Sequence, residues 1–252
     1  MSKPLFYAEA GDISVQEGLV VLAGGEARHL SRSLRAKPGD EILVSDGAGR
    51  VFSVSLTFVG PELVQGAIID WHARPLEIPR LIVFQAVART SRMDETVERV
   101  AEAGVFELIP FVAPRSPEGS AEKVRQRVPR LSKIAYEASK VARRPMPLSV
   151  REPVEWPLTE KVLAAQDLNI LLWEDETVES LASVLPVNPT ASIGMILGPE
   201  GGFAEDEAAM LVSAGAVTAS LGELVLRTES AGAYAAMLIR FIYGLLEPGS
   251  GR

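Results

Sequence analysis

The sequence predicts an α/β protein with a mainly parallel sheet, preceded by a small β-rich module of barrel type. Three observations predict it. From residue 80 onward, short apolar runs alternate with amphipathic helical patterns, as in strand–helix–strand units. Before residue 72, alternating apolar residues surround glycine turns and read mostly as strand. Near the C-terminus two glycine-bearing segments each follow an apolar run: Gly198-Pro199-Glu200-Gly201-Gly202-Phe203 after 193–197, and Leu221-Gly222 after 217–220. Glycine turns at strand ends let a backbone come close to a ligand, so two of them in one open sheet predict a small-molecule site beyond the strand ends.

In chain order, residues 26–34 read as one short helix. Residues 41–45, the turn Asp46-Gly47-Ala48-Gly49 and residues 50–56 form a hairpin pattern. Residues 63–69 offer a further strand, and Pro75 and Pro79 bracket a linker. Residues 81–87 are an apolar run, as in a parallel strand buried on both faces. Residues 91–103 read as a helix: Ser91 and Asp94 have capping-box spacing, Met93, Val97, Val100 and Ala101 share one face, and Gly104 ends it. A strand at 105–109 follows. Residues 121–143 are a long basic helical stretch, with a break expected at Pro129. Strands at 168–173 and 193–197 come next, then a helix at 204–214 whose Glu205, Asp206 and Glu207 suit the positive end of its dipole. A strand at 217–220 leads into a final helix at 229–246, where Tyr234, Leu238, Ile239, Ile242 and Leu245 form a long apolar face. The division is residues 1–74 for the β-rich domain and 75–252 for the α/β domain.

Composition bounds the function. The 252 residues are 47% hydrophobic and 23% charged, typical of a soluble globular protein. No apolar run spans a bilayer, and Met1-Ser2-Lys3-Pro4 opens no signal peptide. There is no cysteine, and His29 and His72 are too few for an obvious zinc centre, so a cytoplasmic protein without a metal is expected. The net charge of −8 is uneven: −2 over 1–74, +5 over 89–151 and −11 over 152–252. A basic middle in an acidic chain is the footprint expected of a nucleic-acid contact.

No nucleophile constellation, Walker sequence or dinucleotide fingerprint is present. Arg227-Thr228-Glu229-Ser230-Ala231 opens the last helix. Thr228 reads either as a plain N-cap or as a hydroxyl that, with exposed amides, grips a ligand while Arg227 faces a charged substrate. Arg28, Arg32 and Arg35, spaced four and three apart beside His29, would share one helical face, either simply solvated or reading phosphates.

Taken together, the two C-terminal segments, with Glu26-Ala27-Arg28-His29-Leu30, Ser33-Leu34-Arg35, Gly39-Asp40, Asp46-Gly47, Ala103-Gly104-Val105 and Ile109-Pro110, resemble the bacterial 16S ribosomal RNA uracil-N3-methyltransferase family of the SPOUT superfamily. The resemblance covers essentially the whole chain. It implies a PUA-like RNA-binding β-barrel followed by a SPOUT domain with a trefoil knot. It implies S-adenosylmethionine held by Leu172, Gly198, Pro199, Glu200, Gly201, Gly202, Leu221, Gly222, Leu226, Thr228 and Ala231, and a homodimer acting on 16S rRNA of the small subunit. Arg227, Glu229 and Glu200 are the catalytic candidates: the arginine to favour an anionic uridine, either glutamate to accept its proton. RNA contacts fall to Arg28, His29, Arg32, Arg35, Arg92 and Arg144. The competing readings are a SPOUT enzyme of transfer RNA, a non-catalytic ribosome assembly factor and, more distantly, a nicotinamide enzyme. Three segments depart from the family pattern: Arg99 for a lysine and Ala103 for a leucine in one helix, Lys140-Val141 for a Glu-Gln pair, and Ser230 for a threonine. The second removes a polar group on the expected RNA side.

Overall fold

A computed structural model describes residues 3–74, 76–117 and 120–247. The chain divides into two compact units. One takes the residues up to Leu76 together with Ser139–Pro147; the other takes Glu77–Ala138 and the residues from Leu148 onward.

The first unit contains β1 (Leu5–Tyr7), β2 (Ile13–Ser14), β3 (Leu19–Ala23), α1 (Gly24–Arg28), β4 (Glu41–Ser45), β5 (Arg50–Val59) and β6 (Leu63–Ala73). They form one sheet in the order β1-β4-β5-β6-β3-β2. Only the β1–β4 pair is parallel. Phe6 and Ile13, from the two edge strands, enter the same core as Val44, Phe52, Val54 and Val64, so the sheet curls around one apolar centre. The predicted hairpin is present, with Ser45 opposite Val51. Its strands run further than the alternation showed, because β5 and β6 pair with each other out to Arg50 and Ala73. The predicted helix at 26–34 is α1 plus a π-helical turn over His29–Ser33.

The segment after the long basic helix is built into this unit. Lys140 is 8% exposed, donates to both carboxylate oxygens of Glu26 at 2.8 and 3.1 Å, and lies 5.3 Å from the Phe6 ring centroid. Burial, above all, pushes the Tyr7 hydroxyl well up; it donates to the Arg144 carbonyl at 2.8 Å. Lys140 is therefore a paired core cation, whereas its neighbour Val141 is exposed.

The second unit contains β7 (Arg80–Ala86), α2 (Thr90–Glu102), β8 (Glu107–Phe111), α3 (Ala121–Val141, whose last turn lies in the first unit), β9 (Ser149–Val150), α4 (Glu160–Leu163), β10 (Leu168–Leu172), α5 (Leu181–Val184), β11 (Ser192–Leu197), α6 (Glu205–Ser213), β12 (Val217–Ala219) and α7 (Thr228–Ile242). The sheet order is β12-β10-β11-β7-β8-β9, with every pair parallel. Side chains alternate between its faces. Leu81, Val83, Ile193 and Met195 join residues of α2, α3 and α7 in one core. Ile82, Phe84 and Ile196 join Leu163 of α4 and Ala208 and Leu211 of α6 in the other.

Two local expectations are corrected. Pro129 does not break α3, which runs unbroken; Val124, Val128, Leu131, Ala135 and Ala138 bury one face while Pro129 faces solvent. Ser91 and Asp94 form no capping box: α2 begins at Thr90, and Asp94 instead pairs with Arg130 at 2.5 Å. On α7, Ile239 is fully buried, while Tyr234, Met237, Leu238, Phe241 and Ile242 form an exposed apolar stripe. Met237 and Phe241 were not part of the predicted face.

Candidate functional site

The carboxyl ends of β10, β11 and β12 lie side by side, and the loops leaving them enclose a cavity of about 770 Å³. Leu172, Leu197 and Ala219, the last residues of these strands, form part of its lining. This is where an open parallel sheet binds ligands, because the loops diverge as strand order reverses. The volume suits a nucleoside-sized ligand.

The local chemistry explains why the loops adopt these paths. Gly202 has φ of +64°, and a Cβ there would stand 2.2 Å from a Glu174 carboxylate oxygen. Gly222 has φ of +103°, a conformation that side chains rarely tolerate. At Gly198 a Cβ would sit 3.3 Å from the Gly202 backbone, so the 198–202 turn closes tightly on itself. Gly201 has open space around it.

A buried glutamine ties the two loops together. Gln85, at 0% exposure near the end of β7, donates to the Gly198 carbonyl at 3.3 Å and to the Thr228 hydroxyl at 3.0 Å. The Thr228 hydroxyl itself donates to the Gly198 carbonyl at 2.7 Å. Thr228 thus binds across to the first loop and is not the N-cap; that position is Arg227, which makes no side-chain cap bond.

Charged groups complete the site. Glu229, buried to 2% exposure, accepts from Arg92 at 2.5 Å and lies 4.0 Å from Arg227, whose side chain is 76% exposed. Arg92 therefore lines the cavity. One residue on, Ser230 accepts from Arg99, which also pairs with Glu95 at 3.1 Å. Two of the departures from the family pattern, Arg99 and Ser230, thus bond to each other. Glu200, exposed on the rim, accepts from the Arg89 backbone N–H at 3.1 Å. Glu174, Glu176, Glu179 and Glu223 add negative charge around the cavity. Glu176 is held down at about 2 by hydrogen bonds from the Thr218 hydroxyl and the Val178 and Glu179 backbone N–H groups, which fixes the turn after β10. An apolar cleft with a negative rim fits a cationic nucleoside ligand.

All the residues expected to hold a cofactor line this cavity except Gly201. So do Arg227, Glu229 and Glu200. Sequence reading missed Gln85 and the Trp173–Ser180 segment. Gln85 was visible as the one polar residue in an apolar strand; the Trp173–Ser180 segment carries no such signal. Arg28, His29, Arg32 and Arg35 lie exposed on the first unit. They do not share a regular α-helical face, because the turn is π-helical and Arg35 enters the left-handed region at φ of +52°. His29 also packs edge-on against Phe6, with centroids 5.9 Å apart. Arg144 is half-buried in the same unit. Among the described residues, no cluster of ligating side chains could hold a metal ion, and no helix is long and apolar enough to cross a membrane.

One unit is thus a curled, mostly antiparallel sheet, and the other is a parallel α/β unit with a ligand-sized cleft at its strand ends. The chain belongs to the RNA methyltransferase domain family, matched over residues 75–240, and residues 22–69 match the RNA methyltransferase PUA domain. It is 28% identical to the ribosomal RNA small subunit methyltransferase E of Mycobacterium bovis, covering 92% of this chain and 88% of the relative. It is 26% identical to the Bacillus subtilis protein of that name, covering 89% and 91%. The fold matches the crystal structure of the Neisseria gonorrhoeae enzyme of that name bound to S-adenosyl methionine, with a TM-score of 0.81 and 23% identity over 96% of this chain and 98% of that one.

Proposed function

We propose that this protein methylates N3 of a specific uridine in 16S rRNA, using S-adenosylmethionine, as a cytoplasmic homodimer. The observation that carries the reading is the cavity at the ends of β10, β11 and β12, lined by the glycine loops and by Arg92, Arg227 and Glu229. Leu172, Leu221, Leu226 and Ala231 offer apolar walls for a purine, and the tight turns at Gly198, Gly202 and Gly222 bring backbone close to it. When bound, the cofactor supplies an electrophilic methyl group on a positively charged sulfur, which the glutamates of the rim favour.

The chain's own groups then act on the uridine. N3 must lose its weakly acidic proton before it can attack. Arg227 stabilises the resulting anion, since preorganised charge is worth most where charge develops. Glu229 is enclosed and engaged by Arg92, so its role is to position the two arginines. Glu200, exposed on the rim, takes the proton in this reading. The threading of the loops into a knot belongs to the same reading. Dimerisation is supported by the exposed stripe of Tyr234, Met237, Leu238, Phe241 and Ile242, which a second copy would cover.

The test is transfer of a labelled methyl group from S-adenosylmethionine to purified small ribosomal subunits lacking the modification. Wild type should label 16S rRNA, and Arg227→Ala should lower turnover at least about a hundredfold while binding cofactor normally. No transfer by wild type, or undiminished transfer by Arg227→Ala, overturns the corresponding assignment. Light scattering should give twice the 27.0 kDa chain mass.

A further inference from the structure

Gly201 is the one residue of the 198–202 turn that does not line the cavity. It is exposed, its backbone is not left-handed, and a Cβ there would meet nothing within 4 Å. Neither strain nor crowding within the chain therefore calls for a glycine. Two neighbouring loops hold the turn at this point. Arg115, in the loop after β8, donates from its guanidinium to the Gly201 carbonyl at 3.3 Å. Arg89, in the loop after β7, is rooted beside the turn by the bond from its backbone N–H to Glu200. Both arginine side chains are exposed. Arg92 is paired with Glu229, and Arg130 with Asp94. Among the described residues, neither Arg89 nor Arg115 pairs with a carboxylate.

Charge is divided along the carboxyl edge of the sheet, and this turn stands at the division. On one side of β11 lie β10 and β12, whose loops set Glu174, Glu176, Glu179 and Glu223 around the cavity. The helix α6, with Glu205 and Asp206 in its first turn, packs against β10 on that side. On the other side lie β7 and β8. Their loops, residues 87–92 and 112–117, supply Arg89, Arg92 and Arg115 and no acid. Glu118 follows in the sequence, outside the described residues. Between the two halves, residues 198–202 carry a single acid, Glu200.

A polyanion is repelled from the first half and drawn to the second. Exposed guanidiniums fork onto phosphate oxygens, and a residue without a Cβ lets another backbone come close. A carboxylate of the cofactor would bind inside the cavity, where Gly201 has no surface. A base reaches an enclosed site by turning out of its stack, and its flanking phosphate then stays at the mouth. We propose that Gly201 marks the point where the backbone of the substrate RNA crosses the mouth of the cavity. The phosphate beside the target uridine is held by Arg89 and Arg115, and the base turns inward past Glu200. The proposal rests on the reading that rRNA is the substrate.

The test measures affinity of the full-length protein for protein-free 16S rRNA and for small subunits, over a salt series, alongside S-adenosylhomocysteine affinity and methyl transfer. Gly201→Asp, which has room to fold, sets a side chain and a negative charge at the crossing and should weaken binding to protein-free rRNA roughly tenfold. Gly201→Ala should stay within about twofold of wild type. Arg89→Ala with Arg115→Ala should weaken binding by a similar factor and lower the salt slope by about 1.5. S-adenosylhomocysteine affinity should not change in any of them. Unchanged RNA affinity and salt slope in both Gly201→Asp and the double arginine variant overturns the crossing, and leaves the methyltransferase reading standing if wild type still transfers. Loss of S-adenosylhomocysteine affinity in step with RNA affinity would make the turn a cofactor element alone and overturn the proposal as well. Tight RNA binding by wild type without methyl transfer sinks the methyltransferase reading instead, and the crossing is then decided by the affinities alone. Weakened binding to intact subunits with unchanged binding to protein-free rRNA would assign the two arginines to a ribosomal protein and overturn the proposal.

Discussion

The cavity of the second unit and the arginine face of the first are built in opposite ways. The cavity depends on fixed geometry: left-handed glycines, a turn closed against its own backbone, and a buried glutamine that joins two loops. The arginine face depends on charge: Arg28, Arg32 and Arg35 are exposed, and Arg28 pairs with Glu62 at 2.8 Å where both side chains are about half in water or more. The first arrangement recognises one shape and fails when one atom is misplaced. The second recognises a charge density and weakens by degrees, with salt. On the proposed function, the first would serve a cofactor that every turnover needs and the second a long polyanion.

The largest expected effect sharpens the cavity side. Gly202→Val forces a side chain into Glu174 and a β-branched residue into left-handed backbone, which costs about 1–2 kcal/mol before any clash. Calorimetric binding of S-adenosylhomocysteine should vanish while circular dichroism keeps the native spectrum. Gly201→Val meets no protein atom within 4 Å, so it should fold and keep much more of its affinity. Equal loss in both variants would mean that ligand contact, and not loop geometry, sets the effect.

Next comes the buried ion pair of the first unit. Lys140→Ala leaves the Glu26 carboxylate enclosed without its cation and should lower stability by about 3 kcal/mol in denaturant melts. Adding Glu26→Ala should restore part of that loss. If Lys140 served only RNA, stability would be unchanged and RNA affinity would fall.

Much of this contrast was legible in the sequence, for identifiable reasons. The glycine segments at 198–202 and 221–222 mark strand ends because glycine is needed where backbones close tightly, and the cavity lies there. The parallel sheet was readable from 81–87 and 193–197, since strands buried on both faces are apolar throughout. Gln85 was less legible, because its meaning depends on Gly198 and Thr228, more than a hundred residues away. Lys140 stood out, with Val141, as a departure from the family pattern, yet its partner Glu26 lies 114 residues earlier in the chain. The short strands β1, β2 and β9 escaped notice because two or three residues carry no periodicity.

On the charge side the effects are smaller. Arg32→Glu with Arg35→Glu should lower RNA affinity roughly tenfold at low salt, less at high salt, with cofactor affinity unchanged in the same preparation. Indifference to both salt and charge reversal would remove the arginine face from the RNA contact. Arg28→Ala should change stability by less than about 0.5 kcal/mol, because its partner Glu62 is well solvated.

The smallest effect concerns acid. Glu176 is an ordinary carboxylate pulled from 4.5 to about 2 by its hydrogen bonds, so its contribution to the turn is fully present above 4.5 and is lost as pH falls through about 2. The amide shifts of Val178 and Glu179 should titrate with that low midpoint. A midpoint near 4.5 would remove Glu176 from the scaffold of the cavity.

The central claim is that the two regions together place one methyl group on one rRNA base. The most direct measurement is nucleoside mass analysis of 16S rRNA from a strain lacking this protein, before and after complementation. Deletion should remove a single N3-methyluridine, and wild type but not Arg227→Ala should restore it. An unchanged 16S rRNA, or a methyl group lost instead from transfer RNA or from a ribose oxygen, would contradict the account.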